Sequence, residues 1–164
     1  MNHTTHTMKR IVSLTLQLVV PAILVGLYFF FVLAGNVDFL GSLVAFGIGL
    51  YAGILVLYLD EKWLHTYYED RPGKLLTRSL LFLLAFPLIG MYVTTSSGSS
   101  LGQGLILGMG VSILAEMYGY QASSTAFKDR FLWQLKKEVT AKDVRNIFLM
   151  SVGVFAALVY LVFR

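Results

Sequence analysis

Apolar residues in this chain fall into long runs rather than into the short periodic patches of a water-soluble core. Five runs come near the roughly 20 residues that a helix needs to cross a bilayer. They lie at about 11–34, 40–59, 76–94, 101–121 and 144–163, and each is read as a transmembrane helix. Between the fourth and fifth runs the pattern changes. Phe127, Phe131 and Leu135 recur every four residues among Lys128, Arg130, Lys136 and Lys137. That spacing predicts a basic amphipathic helix over about 125–139, lying on the membrane surface. Thr140 and Asp143 then form a capping-box pattern ahead of the fifth run. The expected fold is therefore all-α: an integral membrane bundle of five transmembrane helices with a basic interfacial helix between helices 4 and 5. Residues 1–10 read as a polar cytoplasmic tail and 11–164 as a single membrane domain.

Several connections follow from local chemistry. Lys9-Arg10 before the first run, with Val32-Leu33-Ala34 near its end, also fits a signal peptide. The apolar run exceeds a typical signal-peptide core, which favours an uncleaved anchor. The second helix is expected to persist through 60–69, with Trp63, Tyr67 and Tyr68 at headgroup level, until Arg71-Pro72-Gly73 breaks it.

Small residues mark where helices should meet. In lipid, helices associate by close backbone approach, and rows of Gly, Ala and Ser permit it. One row contains Gly104, Gly108 and Ser112 in the fourth helix; another contains Gly49 and Gly53 in the second, with Asp60 continuing that face. Gly153 and Ala157 offer a further pair. Leu40-Gly41 followed by Gly47-x-Gly49 also matches Leu101-Gly102 followed by Gly108-x-Gly110. This suggests two hairpins repeated in parallel plus one extra helix; chance among 15 glycines is the competing account.

Composition agrees with the pattern: the chain is 57% hydrophobic and only 13% charged. The net charge of +4 matters through its placement. Two of the 13 Lys and Arg lie in the tail, four in 60–78 and six in 122–145; Arg164 stands apart. The turns at 35–39 and 95–100 have none. The positive-inside rule then predicts a multi-pass protein of the cell (plasma) membrane, N-terminus cytoplasmic and C-terminus outside. The basic 125–139 helix is expected to meet anionic lipid headgroups, and no nucleic acid is expected. With no cysteine, disulfide and thiolate chemistry are excluded.

Few residues can carry chemistry. Glu116 lies about 22 Å along the fourth helix from Leu101, well inside a core about 30 Å thick. A carboxylate there must be protonated, paired or wetted. Arg78 enters the third run at similar depth, so Glu116 and Arg78 are a candidate ion pair or proton site. Asp60, Glu61 and His65 form a candidate polar cluster at the cytoplasmic rim, read as solvated interfacial residues. A metal shared by Glu61, His65 and Glu116 is the sharper alternative. No cofactor or metal is expected, and no nucleophile elbow, phosphate loop or zinc motif occurs.

The stretch from Thr77-Arg78-Ser79-Leu80 through Thr95-Ser96-Ser97-Gly98-Ser99 to Gly102-x-Gly104-Leu105 and Gly108-x-Gly110 resembles small multi-pass membrane proteins of candidate-phyla-radiation bacteria. That group has no assigned activity, so the resemblance implies a bacterial membrane and transfers no functional residue. The leading expectation is a non-enzymatic packing or accessory subunit of a membrane complex. A small transporter or ion path using Glu116 and a metal-dependent membrane enzyme are the alternatives.

Overall fold

The computed structural model describes residues 2–33, 39–64, 76–96 and 98–164, with side chains over 15–30, 39–62, 76–96 and 98–164. Among the described residues it is helical without strands. The order is α1 (Asn2–Leu33), α2 (Phe39–Leu59), α3 (Leu80–Ser96), α4 (Ser100–Tyr120), α5 (Ser124–Phe131) and α6 (Ala141–Val162). A π-turn, Asp60–Leu64, continues α2, and a 3-10 turn, Leu76–Arg78, precedes α3. Among the described residues three helices are long and apolar enough to cross a membrane: α2 with the start of its π-turn, α4 and α6. Thr15–Phe30 and Leu80–Ser96 are shorter apolar helices.

Helix α4 is the centre of the bundle, in contact with α1, α2, α3, α5 and α6. Its largest interface is with α2, and glycines build it from both sides. A Cβ on Gly49 or Gly53 would overlap the carbonyl of Leu101 or Leu105; one on Gly104 or Gly108 would overlap that of Phe46 or Leu50. The glycine Cα–H groups therefore point at carbonyl oxygens of the facing helix, the geometry of weak Cα–H···O bonds. Partner numbers rise together in steps of four, so α2 and α4 run parallel. The two glycine rows thus grip one another.

The other long helices, α1, α3 and α6, run the opposite way. Phe86 and Gly90 of α3 meet Gly110 and Ile106 of α4, and Phe155 of α6 packs on Gly110. Tyr28 of α1 stacks on Phe46 with ring centroids 4.1 Å apart and donates to Ser100 Oγ at 2.8 Å. The late part of α1 therefore sits beside the beginnings of α2 and α4. Leu158 fills the space at Gly90. Direction alternates from α1 to α4, and α6 reverses again.

Serines start three of these helices, because a Ser hydroxyl satisfies an amide that the first turn leaves open. Ser99 Oγ accepts from Gly102 N, and Ser123 Oγ from Ala126 N. The turn before α4 passes through Gly98 at φ +56°, a conformation that disfavours a side chain. Ser79 Oγ accepts from Phe82 N at 3.1 Å. This corrects one expectation: the third run does not enter its helix at residue 76. Arg78 lies in the 3-10 turn before the Ser79 cap. The Thr140–Asp143 capping box forms at the start of α6.

Two further expectations change. The helix predicted over 125–139 ends at Phe131, where Leu132 N bonds Lys128 O and the chain turns at Leu132–Leu135. Its aromatic face also meets protein: Phe127, Phe131 and Leu132 are fully buried. Protein side chains are as good an apolar solvent for these rings as lipid, and they are nearer. The tail at the N-terminus is helical from Asn2, as the first helix propagates back through it.

Candidate functional site

The charged residues of the bundle interior converge where α2 ends, α3 begins and α5 crosses α4. Arg78 is the hub, with its side chain 4% exposed. Its Nε donates to Glu116 Oε2 at 2.8 Å. Its first terminal nitrogen donates to Leu57 O at 3.1 Å and to Thr77 Oγ1 at 2.9 Å, and lies 3.6 Å from Asp60 Oδ2. Its second lies 3.7 Å from Glu61 Oε2. The rigid fork of a guanidinium suits this many-sided role.

Arg130, from α5, closes the other side. It reaches Glu116 Oε1 at 2.5 Å and Glu61 Oε1 at 2.9 Å. Its guanidinium carbon also sits 5.9 Å from the Tyr120 ring centroid. Burial works against the charge on Arg130, but Glu116 and then Glu61 more than offset it and hold its pKa above the ordinary arginine value. Each oxygen of Glu116 therefore faces a guanidinium.

Asp60 is buried, not solvated as the rim reading expected. Its Oδ2 accepts from Thr77 N at 3.2 Å and from the Thr77 hydroxyl, while Oδ1 is buried without a hydrogen-bond partner among the described residues. Glu61, half exposed, joins both arginines. Glu116, Arg78, Asp60 and Glu61, expected as two separate groups, form one network. His65 lies outside the described residues, and among those described no group of three or more His, Cys, Asp or Glu is placed to hold a metal. Of the expected packing residues, Gly49, Gly53, Gly104 and Gly108 line the α2–α4 interface, and Ser112 is buried one turn above Glu116.

Sequence reasoning missed Arg130 and Thr77. Arg130 follows Phe127 by three residues and so shares its face. Once that face turns inward, Arg130 turns with it.

A cleft of about 1050 Å³ opens beside this network, between α1, α2 and α4. Glu61, Arg78, Glu116 and Arg130 lie at one end, and Gly47, Ile48 and Tyr51 at the other. Comparison of the chain with protein-family models, curated proteins and solved structures finds no match.

Proposed function

We propose that this chain is a five-pass protein of the cell membrane, non-enzymatic, acting as a packing or accessory subunit of a membrane complex. The observation that carries this reading is the open face of α6. Only 11% of its most apolar stretch is buried within the chain. Gly153 and Ala157, the pair suited to close helix packing, lie exposed on it, and a side chain at Gly153 would meet none of the described residues within 4 Å. Helix pairs inside the chain use the same small-residue chemistry, so this face is ready for a helix of another subunit.

The broad apolar exterior supports placement in lipid. Phe30 is 73% exposed, Met150 72% and Leu88 70%, values that water would penalise across so wide a surface. In this reading α1 and α3 cross alongside α2, α4 and α6. The basic network end faces the cytoplasm, and Arg164 faces outward. Lys136, Lys137, Lys142 and Arg145, all exposed, supply the contact with anionic headgroups. The double pairing of Glu116 supports a structural role over an ion path: both its oxygens are already held by arginines.

Extraction in native nanodiscs followed by mass measurement tests the reading. It predicts a defined assembly larger than one 18.3 kDa chain, lost on Gly153→Leu. A monodisperse monomer from the native membrane would count against it.

A further inference from the structure

The cleft beside the ionic network has the shape and chemistry of an amphiphile site. From Gly47 to Glu61 its α2 wall spans 14 residues, about 21 Å at 1.5 Å per residue. That is roughly a headgroup plus half of a 30 Å hydrocarbon core. Ile48, Tyr51, Leu55 and Tyr58 line it at helical spacing, and each is more than half exposed. The cleft is therefore open sideways along an apolar wall.

Its charged end presents both signs. Two carboxylates, Glu61 and Glu116, and two guanidiniums, Arg78 and Arg130, line it. A purely anionic headgroup would gain from the arginines but face the two carboxylates. A headgroup carrying a phosphate and an ammonium can answer both. Glu61 is the more accessible carboxylate, with its side chain half exposed, so it is the group that an ammonium reaches first.

One turn deeper, about 6 Å along α4 from Glu116, lies Ser112. It lines the cleft and is only 4% exposed, and among the described residues its hydroxyl has no hydrogen-bond partner. A buried hydroxyl left unpaired costs on the order of 1–3 kcal/mol, so such groups are normally satisfied. At that depth below a headgroup lie the ester carbonyls of a glycerophospholipid, which are acceptors for this donor. Gln17 of α1 lines the same cleft and adds a second polar side chain.

We infer that this cleft binds one zwitterionic phospholipid, its headgroup on Glu61, Arg78, Glu116 and Arg130, its ester region at Ser112, and a chain along Ile48, Tyr51 and Leu55. The inference rests on the membrane reading above but names a site that that reading does not require.

The test uses the full chain reconstituted in nanodiscs of equal phosphatidylcholine and phosphatidylglycerol. Transfer to detergent and native mass spectrometry then report the lipid that stays bound. The expected result is phosphatidylcholine enriched several-fold over phosphatidylglycerol at about one per chain. Gly47→Phe fills open space in the cleft without touching the charges, since a Cβ there meets nothing within 4 Å. It should return retention to the bulk ratio at unchanged melting temperature. Ser112→Ala should lower retention several-fold without loss of stability, which separates binding from folding. Glu61→Gln should lower it about tenfold, as for loss of one close charge–charge contact with the quaternary ammonium. A wild-type ratio equal to bulk, a preference for phosphatidylglycerol, or full retention by Gly47→Phe overturns the site. A chain that enters nanodiscs yet retains no lipid overturns the site alone; one that never enters them removes the membrane reading as well.

Discussion

Arg78→Gln is the most informative single change, because one guanidinium holds three elements together. Through Leu57 O it binds the end of α2, through Asp60 and Glu61 the π-turn, and through Glu116 the last turns of α4. Glutamine keeps some hydrogen bonding but removes the charge, leaving Asp60 buried against a neutral neighbour. Removing one partner of a buried pair costs about 3–5 kcal/mol, mostly from the charge left behind. Arg130 remains on Glu116 and Glu61, so their share of the loss is partly covered and the lower half of that range applies. Arg130→Gln should cost less, about 1–2 kcal/mol, because its side chain is 14% exposed and water can replace part of what it gives. Glu116→Gln leaves both arginines short and should fall between. The pair Arg78→Gln and Glu116→Gln should be non-additive by about 1–3 kcal/mol, as for residues in one network. Equilibrium unfolding of the full chain in mixed micelles, followed by circular dichroism, measures all four. An Arg78→Gln chain within about 0.5 kcal/mol of the native one, or strict additivity with Glu116→Gln, would refute the hub.

Other expectations follow from packing and capping. Gly53→Leu and Gly104→Leu drive a side chain into the facing backbone of α4 or α2 and should lower the melting temperature sharply, by overpacking of 1–3 kcal/mol or more. Gly41→Leu, with open space at its Cβ, should be nearly neutral. Phe127→Ala and Phe131→Ala should each cost about 3–5 kcal/mol, since both rings are fully buried; a helix resting on lipid would lose far less. Thr140 holds the Asp143 carboxyl below its ordinary value of 3.8 through side-chain and backbone hydrogen bonds. A lowered folded pKa means the cap stabilises α6 above that ordinary value and fades as pH falls through the folded one. Amide-exchange protection at residues 141–145, taken relative to the intrinsic exchange rate at each pH, should therefore fall on acidification, and Asp143→Asn should abolish that pH dependence.

Much of the helix framework was legible because long apolar runs and caps are local signals. Apolar run length marked the helices, the Thr140–Asp143 spacing marked the start of α6, and glycines four apart marked the packing faces of α2 and α4, though not that these two faces meet each other. The α5 face was legible as a face but not by what it meets. Phe127 and Phe131 prefer any apolar medium, so periodicity cannot separate lipid from protein core. Arg130 was misplaced with them, since its partners, Glu61 and Glu116, come from sites 69 and 14 residues away. The Ser79 cap was a local signal passed over; weighing it would have put Arg78 in a turn free to face three elements. Burial of Asp60 depends on Thr77 across the α2–α3 connection, which no pattern within one helix reveals.

The central claim is that hydrocarbon surrounds this bundle with its basic end on the cytoplasmic side. Because the chain has no cysteine, single cysteines can be placed at will. Labelling intact cells with a membrane-impermeant maleimide should modify Ser99→Cys and Arg164→Cys, and should modify Lys136→Cys only after permeabilisation. Labelling of Lys136→Cys in intact cells, with Ser99→Cys protected, would contradict the account.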